Sequence, residues 1–224
     1  MISIVIPVLN EAESLPDLLE HLGAVGAHEV IVADGGSTDG SIEIAGSGAR
    51  TISSLPGGRA RQMNAGAAAA SGDILLFLHA DSTLPERAVE MIETAMEDKR
   101  VVGGRFRVEL DDPGAIFRVI GRLINARDAA FGGFTGDQAI FVRRRVFEEM
   151  GGYAEIPLME DLDLARRLKR LGTVVRLPAK VVTSARRWKK RGVVRTILLM
   201  WCLRALYLMG ASPSTLKRFY EDVR

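Results

Sequence analysis

Two stretches, Ile2-Ser3-Ile4-Val5-Ile6-Pro7-Val8-Leu9-Asn10-Glu11 and Glu29-Val30-Ile31-Val32-Ala33-Asp34-Gly35-Gly36-Ser37-Thr38-Asp39-Gly40, share one arrangement. Each is an apolar, β-branched run of strand length that stops at polar, turn-forming residues. Working outward, residues 2–7, 29–34, 50–53 and 74–79 read as strands. Residues 13–26 between the first two read as a helix, with Leu15, Leu18, Leu19 and Leu22 at helical spacing. A second helix is expected over 59–71, and a third over 85–99 with Pro85 in its first turn. This β-α-β-α-β series makes an α/β fold: a Rossmann-like, mostly parallel sheet with helices on both faces. Beyond it the pattern loosens. A strand at 102–110, a helix at 116–126, a glycine-rich loop at 131–136 and a strand at 139–142 come next. Helices at 144–150 and 161–171 and a strand at 174–177 follow.

With 224 residues, 47% hydrophobic and 26% charged, the chain suits one α/β domain with a large core and a short appendage, and it does not read as disordered. The boundary is placed at 185: residues 1–185 as the catalytic domain, 186–224 as a basic amphipathic helical appendage. The single cysteine, Cys202, excludes an internal disulfide framework and fits a reducing cytosol. Set among Trp201, Leu203 and Leu206, it is expected in the core. Asn10 and Glu11 arrive before a signal-peptide core could reach its usual length, so a cytoplasmic location is expected.

The net charge of +2 hides a segregation: residues 1–163 carry 26 acidic and 14 basic side chains, and residues 164–220 carry 15 basic and no acidic ones. The basic end points to phosphates, on a substrate or on an anionic lipid surface, or else to a solvated helix face. Residues 193–209 form the most apolar long segment, but Arg195 and Arg204 interrupt it, so it is too short to span a bilayer. It suits the interface of a membrane, behind the cluster Arg186, Arg187, Lys189, Lys190 and Arg191. The basic stretch lacks interleaved aromatics, which argues against nucleic acid as a partner.

In open α/β sheets ligands bind beyond the carboxyl ends of the strands, so Asn10-Glu11 and Asp34-Gly35-Gly36 should line one crevice. Asp34 offers a carboxylate to hydroxyls or amino groups of a nucleoside, and the glycines allow close approach. The plain alternative is a turn in which Ser37, Thr38 and Asp39 cap the next helix. The G-x-G-x-x-G spacing of dinucleotide-binding folds is missing. His79 and Asp81, two apart on an expected strand, should converge at its end. A hard oxygen there suits Mg2+ or Mn2+, and imidazole is better tolerated by Mn2+. The alternative is that Asp81 caps the helix near Pro85. In Pro157-Leu158-Met159-Glu160-Asp161-Leu162-Asp163 a carboxylate at a helix start can serve as general base, or simply favour the first turn's amides. Glu160 and Asp161 are expected to project in different directions.

Taken in order, residues 4–11, 33–40, His79-Ala80-Asp81 and Glu160-Asp161 resemble glycosyltransferase family 2, over about residues 1–185. The resemblance implies a GT-A fold and an inverting transfer from a UDP-, GDP- or dTDP-sugar. It places Pro7, Asn10, Glu11, Asp34, Gly36 and Ala80 around the nucleotide and Arg59 near the donor. Asp81, with His79, would hold the metal, Mn2+ or Mg2+, and Asp161 would be the catalytic base. Arg186 and Arg187 would face the departing diphosphate. Asn64 and Gly66 match the family's helix start and are read as structural. His79 stands where the usual D-x-D has its first aspartate. Ser184-Ala185-Arg186-Arg187-Trp188 lacks the glutamine of the processive Gln-x-x-Arg-Trp, which favours addition of one sugar. The stretch from Gly136 through Arg144, continued by Gly151-Gly152-Tyr153, resembles a bacterial subgroup with undefined acceptors. Asp137 and Gln138 would there face donor or acceptor, unless they only form a turn before the next strand. The acceptor is unidentified, and a lipid-linked one at the inner face of the cell membrane fits the basic appendage. Two rival readings are a sugar-nucleotide nucleotidyltransferase, disfavoured by Asn10-Glu11 where a glycine- and arginine-rich loop belongs, and a non-catalytic membrane-surface binding module.

Overall fold

The computed structural model describes residues 1–53, 57–131 and 133–220, and the side chains of Phe131, Arg187 and Arg191 lie outside that description. In chain order the elements are β1 (Ile2–Val8), α1 (Leu15–Ala24), β2 (Glu29–Asp34), α2 (Ser41–Ala45), β3 (Arg50–Ser53), α3 (Arg59–Ala69), β4 (Ile74–Phe77), β5 (Ser82–Thr83) and α4 (Ala88–Met96). There follow β6 (Val101–Leu110), α5 (Ala115–Phe131), a 3-10 turn (Gly136–Gln138), β7 (Ile140–Arg143), α6 (Arg144–Glu149), α7 (Glu160–Leu168) and β8 (Thr173–Thr183). Three helices close the chain: α8 (Arg186–Arg191), α9 (Val193–Leu208) and α10 (Pro213–Lys217).

The strands form one sheet in the order β3-β2-β1-β4-β7-β6-β8-β5. β3, β2, β1 and β4 run parallel, so their carboxyl ends share an edge, while β7 is antiparallel to both β4 and β6. Because side chains alternate across a strand, Ile2, Ile4, Ile6 and Val8 enter one core with Leu15, Leu18 and Leu22 of α1, Ile92 of α4 and Ile120 and Ile124 of α5. Val5 faces the opposite core, with Leu75, Phe77, Met63 of α3, Phe147 of α6 and Leu164 and Leu168 of α7. Cover on both faces is why the first strand reads as an almost unbroken apolar run. The helix α3 packs directly on β1: a Cβ on Gly66 would lie 2.3 Å from Cγ1 of Val5. The amide of Asn64 exchanges bonds with the backbone of Tyr153, accepting at 2.8 Å and donating at 2.9 Å.

Several sequence expectations need correction. β4 ends at Phe77, so His79 and Asp81 sit in the loop beyond it and strand alternation does not orient them. The helix α4 starts at Ala88 without a side-chain cap, so Asp81 does not cap it. β8 runs on to Thr183, well past the expected end at 177. Pro178 lies inside this strand, and the register jumps around it from Arg105↔Arg176 to Arg107↔Lys180. This bulge absorbs a residue that cannot donate to the ladder. Cys202 is exposed, not core, because α9 buries only Thr196 and Leu203. A third, smaller core joins Met159 and Leu162 at the start of α7 to Leu203, Leu216 and Tyr220, and so fixes the last helices over the carboxyl edge of the sheet.

Candidate active site

The loops after β1 and β2 are tied into one unit. Asn10 donates its backbone N–H to Ser37 Oγ (2.9 Å) and accepts on Oδ1 from the N–H of Thr38 (2.9 Å). The N–H of Glu11 reaches Ser41 Oγ (3.0 Å), and that of Ala12 reaches Asp39 Oδ2 (3.0 Å). Asn10 holds φ at 55°, a left-handed conformation that asparagine tolerates better than most residues. Ser37, Thr38 and Asp39 therefore link two strand ends rather than merely capping α2. Asp34, 2% exposed, accepts from the N–H of Gly36 (2.8 Å) and of Ser37 (3.1 Å). Beneath it Gln62 of α3 donates to the carbonyls of Val8 (2.6 Å) and Ala33 (3.0 Å), a bracing role with no local signal in the sequence.

Further along the same edge lies a pocket of about 190 Å³. One wall is polar: Arg59, His79, Asp81, Asp137, Glu160 and Asp161. The other is mostly apolar, made by Ile120, Leu123 and Ile124 of α5 with Trp188, Ile197, Met200 and Trp201 of the last helices. Two arginines, Arg127 and Arg204, complete it. Asp161 Oδ2 accepts from the N–H of Gly136 (3.0 Å) and Oδ1 from the N–H of Leu162 (2.7 Å). Burial raises the pKa of Asp161 against the lowering effect of these two bonds, and nearby Asp137 adds to the rise. Glu160 is raised first by burial and then by Asp161. Burial acts to lower Arg59, but Glu160, Tyr220, Asp161 and Asp81 more than offset it and hold the guanidinium above its usual value. Glu160 and Asp161 both line the pocket, directly after Met159, whose φ is 70°.

Two backbone features set the geometry. The turn at Gly136–Gln138 carries a reciprocal capping box between Thr135 and Gln138. Gly136 touches the imidazole: a Cβ there would lie 2.7 Å from Nε2 of His79. That nitrogen is buried against the turn. Gln138 is fully buried, with its side chain near Asp128 (3.4 Å), so of the pair only Asp137 lines the pocket. Asp128 in turn is held by Arg105 at 2.7 Å in a buried ion pair.

Pro7, Asn10, Glu11, Asp34, Gly36 and Ala80 lie on the same sheet edge but outside this pocket's lining. Asp34 therefore does not line this pocket with Asp81 and Asp161. A bridge joins the two regions: Arg186 pairs with Glu11 (3.3 Å), and the N–H of Ser184 donates to the carbonyl of Asp81 (3.1 Å). The side chain of Arg187 lies outside the described residues. Among those residues no group of three His, Cys, Asp or Glu is placed to hold a metal ion. The oxygen of Asp81 nonetheless fits Mg2+ or Mn2+, which are held by one or two carboxylates together with substrate phosphates and water. Arg127 drew no attention in the sequence. Arg204 did give a signal, as a cation inside the most apolar segment of the chain.

Residues 3–151 match the model of Glycosyl transferase family 2. An undecaprenyl-phosphate 4-deoxy-4-formamido-L-arabinose transferase of Yersinia enterocolitica is 31% identical over 167 residues, which cover 66% of this chain and 50% of that protein. The protein of the same name from Aeromonas hydrophila is 37% identical over 117 residues, covering 46% of this chain and 36% of its own. The chain thus spans half or less of these relatives. In three dimensions it is similar to a mannosyltransferase from Pyrobaculum calidifontis in complex with GDP-Man and Mn2+, with a TM-score of 0.67 at 19% identity over 100% of this chain and 65% of that one. It is also similar to glucosyl-3-phosphoglycerate synthase from Mycobacterium tuberculosis in complex with Mn2+, UDP and glucosyl-3-phosphoglycerate, with a TM-score of 0.59 at 22% identity over 80% and 70% of the two chains.

Proposed function

This chain belongs to glycosyl transferase family 2, and from that membership we propose that it transfers one sugar, with inversion, from a nucleotide-diphosphate sugar to an acceptor hydroxyl. The observation that carries this reading is the polar wall of the pocket, where Asp81, Asp161 and Arg59 meet beside the loops that end β1 and β2. The acceptor oxygen attacks the anomeric carbon, the bond from that carbon to the diphosphate breaks, and the acceptor proton passes to Asp161. Burial makes this carboxylate a better proton acceptor than a solvated one, and the N–H groups of Gly136 and Leu162 hold it in place. Asp81 is the ligand we assign to Mn2+ or Mg2+, which supplies charge neutralisation for the departing diphosphate. Arg59, and Arg186 on the donor side, add fixed positive charge. The nucleoside is assigned to Pro7, Asn10, Glu11, Asp34, Gly36 and Ala80. The GDP-Man, UDP and Mn2+ of the two structural neighbours support a donor of this class.

The relatives are named for undecaprenyl phosphate, and that supports a lipid-linked acceptor met at the inner face of the cell membrane. No helix among the described residues is long and apolar enough to cross a membrane. Residues 1–185, with Arg186, hold the donor and catalytic groups in this reading, and α9 and α10 close the acceptor side.

A thermal-shift panel of UDP, GDP, dTDP and CDP with Mn2+ tests the donor assignment. A nucleotide at a hundredfold excess over its Kd adds about 2.7 kcal/mol, roughly 5–10 °C in Tm for a chain of this size. Absence of a shift from all four would remove the donor assignment.

A further inference from the structure

We propose that the cleft between α5 and α9 is a binding site for the phosphate ester of a long apolar chain, with Arg127 and Arg204 holding the phosphate. The inference deepens the reading of the acceptor as lipid-linked and rests on it.

Arg127 carries the argument. Its Nε and Nη2 groups are buried and have no hydrogen-bond partner among the described residues. Buried donors left unmade cost about 1–3 kcal/mol, and more on a charged group, so a fold that keeps them open is suited to a ligand that fills them. Arg204 lines the same pocket from α9, spending one donor on the carbonyl of Gly133. Burial and then the charge of Arg127 lower Arg204 to about 10, and the carboxylates of Asp161, Asp137 and Asp128 offset only part of this. Neither arginine is in an ion pair among the described residues. Two guanidinium groups brought together with carboxylates nearby but none in ion-pair contact suit a phosphate, whose oxygens match their forked donors.

The surroundings select what the phosphate is attached to. Next to the arginines the wall is Ile120, Leu123, Ile124 and Trp201. Leu123 is 48% and Trp201 56% exposed, so the pocket opens onto an apolar surface that Leu198 continues along α9. A small hydrophilic phosphate would gain nothing from that exit. A chain attached to it would lie along the surface, leaving the phosphate beside Asp161, where the P–OH of its monoanion is the hydroxyl that attacks the anomeric carbon and gives its proton to that carboxylate.

The only two tryptophans of the sequence, Trp188 and Trp201, both line the pocket and report on its occupancy. Fluorescence titrations would use the full chain with farnesyl monophosphate, farnesol and inorganic phosphate. The expected result is that farnesyl monophosphate binds at least about tenfold tighter than either other probe, and that Arg127→Gln removes about tenfold of its affinity while leaving farnesol unchanged. Equal affinity for farnesol and its phosphate, or an Arg127→Gln variant with unaltered phosphate preference, would overturn the proposal. A nucleotide thermal shift retained by Arg127→Gln shows that the variant is folded. It also separates the two readings. Farnesyl monophosphate bound without any nucleotide response would leave this site standing and remove the donor assignment, and the opposite pattern would do the reverse.

Discussion

Replacing Asp161 with asparagine tests the chemistry most directly, because the change keeps the shape of the side chain and removes the proton acceptor. The carboxylate is held by the N–H of Gly136 at 3.0 Å and that of Leu162 at 2.7 Å. Asparagine can keep one of these bonds through its carbonyl oxygen, while its NH2 opposes the other donor. Two effects on stability run against each other. The lost bond costs about 1–3 kcal/mol, but a carboxyl whose pKa is raised on folding destabilises the protein at every pH above its unfolded value, and the amide removes that burden. The Tm should therefore move by only a few degrees. Turnover has no such compensation. A positioned general base contributes about 10²–10⁴-fold, which is about 2.7–5.5 kcal/mol of barrier. The assay is release of nucleoside diphosphate with the donor found in the thermal-shift panel, alongside the nucleotide Kd. The expected result is a loss of kcat in that range with nucleotide affinity kept within about threefold. An Asp161→Asn enzyme that turns over at a rate close to the parent would refute the assignment of the base.

The remaining expectations concern the framework around this base. Both Glu160 and Asp161 are raised, chiefly by burial, so the pair takes up protons at higher pH than free carboxyls do. The acid limb of kcat/KM should accordingly lie above the ordinary range of a free aspartate, and a limb within or below that range would count against a buried base. Asp128→Asn leaves Arg105 buried without its counter-charge and should cost about 3–5 kcal/mol, lowering Tm by roughly 10 °C in a melting experiment. Gly136→Ala forces a methyl to within 2.7 Å of His79 and should cost about 1–3 kcal/mol through overpacking, with a loss of activity because the same turn anchors Asp161. Asn10→Gly should preserve more stability than Asn10→Ala in chemical denaturation, since φ at this residue is 55°.

How much of this was legible in the sequence depended on whether the signal was local. The first strand, the second and the leucine-spaced helix between them follow from β-branched runs and periodicity, and β2 and β3 fall at the expected residues. β8 runs through Pro178, a residue that normally ends a strand, to Thr183 rather than stopping at 177. The bulge that tolerates it exists only once β6 is alongside. Asp81, Asp161 and Arg59 were each picked out by position within a motif, and the fold brings all three to one pocket. Gln138, taken from the same kind of motif, is instead committed to the Arg105–Asp128 pair, a partnership spread over distant parts of the chain. Arg127 carried no local signal. Its open donors become visible only when α9 folds back over α5.

That folding back makes the pocket a joint product of two regions the sequence sets apart by charge. The acidic part supplies Asp81, Asp137, Glu160 and Asp161, and the basic C-terminal stretch supplies Arg204 along with Trp188 and Trp201. Neither half would hold its groups alone: buried carboxylates with raised pKa values need positive charge nearby, and an arginine in an apolar helix needs somewhere polar to point. The third core, where Leu203, Leu216 and Tyr220 meet Met159 and Leu162, fastens the two together one residue on either side of Glu160 and Asp161. Packing in the last helices is therefore coupled to the position of the proposed base. Leu216→Ala, far along the chain from the chemistry, should lower kcat as well as stability. A variant that loses stability while keeping the parent turnover at a temperature where it is folded would show that the two are independent.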